Sequence, residues 1–195
     1  MKLTKVNKSK LRKIYLAKQK LLREAERREN SFQISDSFFE KFDLDDIRYL
    51  HIFLSIAEKN EIRTSIIIND LWGDWVNIKT IVPRVNFEKD VLEHLEFKSE
   101  SKLKVNDWGI AEPMGNELVN EEKLDIVLVP MLCFDKRGFR VGYGKGFYDK
   151  FLIKCRADCL KVGLSYFEPI NKIEDIREFD VKMDYCITPE KIWKF

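Results

Sequence analysis

The sequence predicts an α/β fold in three layers, with helices on both faces of a central sheet. Three observations point there. Segments with strand character alternate with segments of helical period along most of the chain. The run from Leu124 to Asp135, LDIVLVPMLCFD, is almost unbroken apolar sequence, the pattern of a parallel strand covered on both faces. A glycine-rich segment, Arg140 to Asp149 (RVGYGKGFYD), follows that strand and leads into helical spacing.

The elements follow in order. From Lys8 to about Arg28, Leu11, Ile14, Tyr15, Leu21, Leu22 and Ala25 form one helical stripe. Residues Ser31 to Phe42 predict a second helix. The run HIFLSI from His51 predicts a strand, and a helix is expected from Glu61 through Trp72, with Gly73 interrupting near its end. TIVPRV, from Thr80 to Val85, predicts a short strand. Val91 to Phe97 predicts another, antiparallel and on an edge, and Asp107 to Gly115 reads as a loop. The strand that begins at Leu124 should end near Pro130, which cannot donate to a ladder. Asp135 to Gly138 reads as a turn. Phe147, Phe151 and Leu152 mark a helix over FYDKFLIKCRA, and strands at Leu160–Tyr166 and Tyr185–Thr188 complete the set.

Length and composition set limits. With 195 residues, residues 1–195 are expected to form a single domain with ample core. The hydrophobic share of 45% is globular, and the charged share of 35% implies a well-solvated surface. Thirty-five basic residues against 33 acidic ones leave a net charge of +2, which makes no case for nucleic acid or an anionic membrane as partner. The first thirty residues are dense in Lys, Arg and Glu and show no secretory signal, and no apolar run approaches the ~20 residues a membrane helix needs. Cys133, Cys155, Cys159 and Cys186 form no C-x-x-C pair, so reduced thiols in a cytoplasmic protein are expected. His51 and His94 are the only histidines, each better read as structural or surface than as catalytic. A histidine-rich metal centre is therefore excluded. A reaction driven by positioning and charge neutralisation, such as phosphoryl transfer, needs no histidine.

The glycine segment carries the most chemistry. Gly142, Gly144 and Gly146 let the backbone turn sharply and bring N–H groups close to an anion. Lys145 adds a mobile cation for phosphate oxygens, and Asp149 is placed to hold a Mg²⁺ that accompanies a nucleotide. A helix that starts here, beyond the end of a strand, adds free N–H groups. Two familiar templates fail: Phe139 stands where a Walker loop needs glycine, and Phe147 where a dinucleotide fingerprint needs glycine or alanine. By spacing alone, a phosphate cradle and an ordinary solvated turn both remain open.

The longer run VPMLCFDKRGFRVGYGKGFYDKFL closely resembles the signature of the 5-formyltetrahydrofolate cyclo-ligase (5,10-methenyltetrahydrofolate synthetase) family. Further pieces resemble the family in the right order. They are Lys8-Ser-Lys-Leu-Arg12, Phe53-Leu-Ser55 with Glu61-Ile62, Pro83-Arg84, Trp108 ahead of Glu112-Pro113, and a distal aspartate in Phe179–Asp184. The resemblance implies a Rossmann-like sheet, of the sort shared with sugar-phosphate isomerases and CoA transferases. It implies ATP-dependent cyclisation of 5-formyltetrahydrofolate to 5,10-methenyltetrahydrofolate with Mg²⁺, and a monomer with that small-molecule substrate is expected.

Site residues carry over position by position. The resemblance implies ATP contacts from Lys8, Arg12, Arg140, Gly142, Tyr143, Gly144, Lys145, Gly146, Phe147 and Tyr148, with Lys145 and Arg140 offsetting charge on the transferred group. Lys8 and Arg12 lie four apart on one helical face, where like charges repel unless a polyanion binds; an ordinary solvated face is the other reading. Leu54, Glu61, Trp108, Tyr143 and Phe147 would line the folate pocket, although Leu54 also reads as core and Glu61 as a first-turn helix acid. Asp149 and Asp180 are the implied metal ligands, with Asp184 as the fallback. Two departures stand out: Phe147 replaces a frequent tyrosine, and Tyr143 replaces an arginine that some members carry. The rival functions are a sugar-phosphate or acyl-CoA enzyme on the same sheet type and a paralogue that binds folate without turnover.

Overall fold

The computed structural model describes residues 7–106, 109–115 and 117–195. The chain opens with α1 (Lys8–Leu21), capped by the Asn7 side chain, which accepts the Lys10 N–H at 2.9 Å. Helix α2 spans Glu24–Lys41. The break falls at Leu22, earlier than the expected end near Arg28, and Leu21 is exposed. The two helices bury different surfaces. Leu11 and Tyr15 of α1 pack with Cys133 and Val141, whereas Ile34 and Phe38 of α2 pack on the sheet. One straight rod cannot face both.

Strand β1 is only Tyr49–His51, and Ile52 N–H still bonds Ile81 O at 2.8 Å before the chain leaves the sheet. The expected strand through Ile56 is thus cut short. Residues 53–56 instead turn towards α3 (Ser65–Asp74), which starts four residues later than expected and includes Gly73. Strands β2 (Lys79–Asn86) and β3 (Val91–Glu96) form an antiparallel pair, with β3 on the edge as expected. The segment expected to be loop contains β5 (Ala111–Pro113), which pairs with β4 (Leu103–Val105). Strand β6 is Ile126–Pro130 and ends at the proline. A small hairpin of β7 (Cys133–Phe134) and β8 (Arg140–Val141) brackets the expected turn. Helix α4 is Phe147–Leu152, shorter than the sequence suggests. Strands β9 (Leu160–Leu164), β10 (Tyr185–Ile187) and β11 (Ile192–Lys194) close the chain.

The main sheet has the order β11-β10-β9-β6-β1-β2-β3. Its five inner strands are parallel, and each edge strand is antiparallel. Strand β6 shows why the fold has three layers. Ile126 and Leu128 join the core beneath α2 and α3, while Val127 and Val129 join Phe151 and Leu152 of α4 on the other face. From β1 the chain moves outward to β2, then returns to place β6 on the other side of β1. That reversal makes a topological switch point, the usual position of a ligand crevice in an open α/β sheet.

Candidate active site

A cavity of about 750 Å³ opens at that switch point. Phe53 and Leu54, just past β1, and Pro130, at the end of β6, form its floor. The β1 chain leaves the sheet early for this purpose, since its next residues line the cavity instead of pairing. Helix α1 and the loop from β8 to α4 form one side, and residues 175–180 lie beside them.

The glycine loop is built against α1. Gly144 has φ +106°, and a Cβ there would sit 3.0 Å from Arg12 Cζ. Arg12 Nε donates to Gly142 O at 2.9 Å. Gly146 adopts a left-handed conformation, φ +72°, as the residue just before α4. Arg12 and Lys145 therefore meet at the same bend, although 133 positions separate them, and both line the cavity.

Acidic and basic groups alternate around this end. Arg140, nearly buried, donates from Nη2 to Asp149 Oδ1 at 2.8 Å and from Nη1 to Val181 O at 2.9 Å. Lys8 Nζ pairs with Asp180 Oδ2 at 2.5 Å, and Lys8 N–H donates to Asp175 Oδ1 at 2.7 Å. Lys8, Arg12, Arg140, Asp149 and Asp180 thus all border one cavity. Asp184 does not line it; its carboxylate accepts the Lys161 N–H at 2.7 Å beside the sheet.

Apolar and aromatic side chains line the cavity as well. Leu54 is half-buried there, along with the rings of Phe147 and Tyr148. Glu61 is buried, and its Oε2 accepts the Ile56 N–H at 2.7 Å. Burial raises its pKa, opposed by the Tyr143 phenol, the Ile56 amide and the nearby Lys59. Tyr143 reaches from the glycine loop to Glu61, and Lys59 Nζ lies 4.4 Å from the Tyr143 ring centroid. Gln19, buried near the end of α1, donates to Lys59 O at 2.6 Å and so holds this corner together. Trp108 lies outside the described residues.

Lys59 and Glu112 both line the cavity; sequence reasoning missed Lys59 and gave Glu112, quoted above only as part of the family resemblance, no role in the site. Lys59 sits in an exposed-looking charged stretch, where nothing local distinguishes it. The signal for Glu112 was its place in the Glu112-Pro113 piece of the resemblance, which falls on β5. Among the described residues, no group of three or more His, Cys, Asp or Glu side chains could hold a metal by themselves. A site of one or two carboxylates completed by phosphate oxygens and water needs no such group.

Comparisons with known proteins bear on this arrangement. The model of the 5-formyltetrahydrofolate cyclo-ligase family matches residues 4–189. The probable 5-formyltetrahydrofolate cyclo-ligase of Schizosaccharomyces pombe is 30% identical over 148 residues, covering 69% of this chain and 72% of the relative. The Escherichia coli K12 5-formyltetrahydrofolate cyclo-ligase is 28% identical over 149 residues, covering 74% and 79%. The solved structure of Aquifex aeolicus 5,10-methenyltetrahydrofolate synthetase superposes with a TM-score of 0.81 at 28% identity, over 96% of this chain and 92% of that one.

Proposed function

The chain belongs to the 5-formyltetrahydrofolate cyclo-ligase family, and on that premise we propose that its cavity converts 5-formyltetrahydrofolate to 5,10-methenyltetrahydrofolate using ATP and Mg²⁺. The observation that carries the reading is the shared cavity. It joins a phosphate-friendly bend, with Lys145 and Arg12, to the aromatic side chains of Tyr143, Phe147 and Tyr148 and the buried Glu61. A nucleotide and a pterin can therefore meet edge to edge.

The formyl oxygen attacks the γ-phosphorus of ATP, and ADP leaves. N10 of the substrate then attacks the activated formyl carbon, and phosphate departs with the N10 proton as the ring closes. The triphosphate follows residues 140–148, where main-chain N–H groups and Lys145 neutralise its charge. Arg12 holds the bend by its bond to Gly142 O. Arg140 fixes Asp149 against Val181 and so sets the shape of the loop. Leu54, Glu61, Tyr143 and Phe147 orient the pterin. Such alignment of two reactants lowers a barrier by roughly 7–11 kcal/mol.

Asp149 and Asp180 fit a magnesium ion as hard oxygen donors. Asp149 gives Oδ1 to Arg140 and to the Val181 N–H, which leaves Oδ2 as a ligand. Asp180 would exchange Lys8 for the ion, and Lys8 would then be released to the phosphates. The ion would offset charge on the transferring group. With no C-x-x-C pair among its four cysteines, the chain is read as a cytoplasmic protein, acting as a monomer.

The test is direct. Protein, MgATP and 5-formyltetrahydrofolate are mixed, and the near-ultraviolet band of the methenyl product is followed. Growth of the band only with ATP present supports the reading. Product formation without ATP, or no product with both ligands bound, refutes it.

A further inference from the structure

Two buried carboxyl groups line the cavity, Glu61 and Glu112. They are not equivalent. Glu61 is already engaged by the protein, through the Ile56 N–H and the Tyr143 phenol. Glu112 is 8% exposed, and its Oε1 accepts the Val85 N–H at 2.7 Å. That amide belongs to the part of β2 that extends past the end of β1, where the sheet supplies no acceptor. The bond fixes the orientation of the carboxylate. Its Oε2 takes no hydrogen bond and no cation among the described residues.

The surroundings make this unusual. Pro83, Leu92 and Ile110 line the same cavity and are apolar, so Oε2 is a charged acceptor open to the cavity between walls that offer it no donor. An occupant with two adjacent N–H donors would match this carboxylate, because each of its oxygens has two acceptor positions and Val85 takes only one. Val85 and Leu92 pack in the same cluster as Phe147 and Tyr148, which adjoin the glycine loop. A flat ring seated on Glu112 therefore stays within reach of the loop.

We propose that Glu112 determines substrate specificity by accepting hydrogen bonds from the 2-amino and N3–H groups of the pterin's aminopyrimidine ring. This inference rests on the folate reading above. The pterin edge presents two parallel donors, the complement of a carboxylate. The glutamate tail is excluded from the same place, since its carboxylates would face Glu112 as like charges.

Equilibrium binding, read by pterin fluorescence, tests it with 5-formyltetrahydrofolate and its 2-desamino analogue. Wild-type protein should bind the analogue roughly 10- to 100-fold more weakly, the range for a charge-assisted hydrogen bond. Glu112→Gln should lose the same factor for the natural ligand and discriminate between the two ligands by less than about twofold. Its affinity for a non-hydrolysable ATP analogue and its melting midpoint should not change, because the amide oxygen still accepts the Val85 N–H. Equal binding of both ligands by the wild type overturns the proposal without any variant. So does undiminished discrimination by the variant, or parallel loss of nucleotide affinity. Wild-type binding without turnover would sink the catalytic reading and still let the binding comparison decide Glu112; a wild type that binds neither ligand overturns both.

Discussion

The guanidinium of Arg140 and the carboxylate of Asp149 form a largely buried ion pair at 2.8 Å, and the same carboxylate oxygen accepts the Val181 N–H at 3.1 Å. Two residues that the sequence offers as a phosphate cation and a metal ligand are thus joined, with Arg140 also bonded to Val181 O. The pair ties the start of the glycine loop to α4 and to the segment that carries Asp180. Arg140→Met should cost about 2–4 kcal/mol of stability in urea unfolding, because it strands a partly buried carboxylate. A change below about 0.5 kcal/mol would mean that the pair contributes nothing to the fold.

Lys145 stands at the rim of the cavity, on the bend that Arg12 braces. Lys145→Ala should lower kcat/KM for ATP by about 100-fold, the scale of losing one preorganised charge at a transferring group. The melting midpoint and folate affinity should hold. Unchanged turnover would remove the loop from the mechanism.

Asp149→Asn keeps an oxygen for Arg140 and Val181 but removes the charge. The Mg²⁺ concentration for half-maximal activity should rise about tenfold or more, with the fold intact. An unaltered metal requirement contradicts the ligand assignment.

His51 and His94 meet edge to face with ring centroids 5.1 Å apart, and their ring nitrogens are buried without hydrogen-bond partners among the described residues. Burial is the main cause that pushes both pKa values down, His94 to about 4. The unfolded chain, with histidines near 6.5, then binds more protons than the folded one as pH falls below about 6.5. Stability should be full above that pH. It should fall by about 1.4 kcal/mol per pH unit per histidine, for His94 until about pH 4. Urea unfolding at pH 7, 6 and 5 measures the slope, and His94→Leu should flatten it. A wild-type curve without slope across this window would mean that the imidazoles charge without penalty.

The legible parts of the chain were those with local causes. Strand β6 was visible because burial on both faces demands an apolar run, and Pro130 ends it because proline lacks a donor. Strand β3 was visible as a strand from its alternation, and it does lie on the edge as expected. Other features were hidden because their causes lie far away in sequence. The break at Leu22 arises because α1 packs on the β7–β8 hairpin while α2 packs on the sheet. Strand β1 stops at His51 because its continuation lines the cavity. Strand β11 is three residues long, too short for any period to show.

The same division holds at the site. The order of residues determined that Gly142–Gly146 would bend, that a strand would precede the bend and that a helix would follow it. These outcomes depend on φ freedom and on apolar spacing, which act over a few residues. Only the folded chain decided that Arg12 braces Gly144, that Lys8 holds Asp180, and that Glu112 faces the cavity with one oxygen taken by Val85. Those contacts join positions 27 to 172 residues apart. Sheet order and helix packing bring them together, and no local preference encodes either.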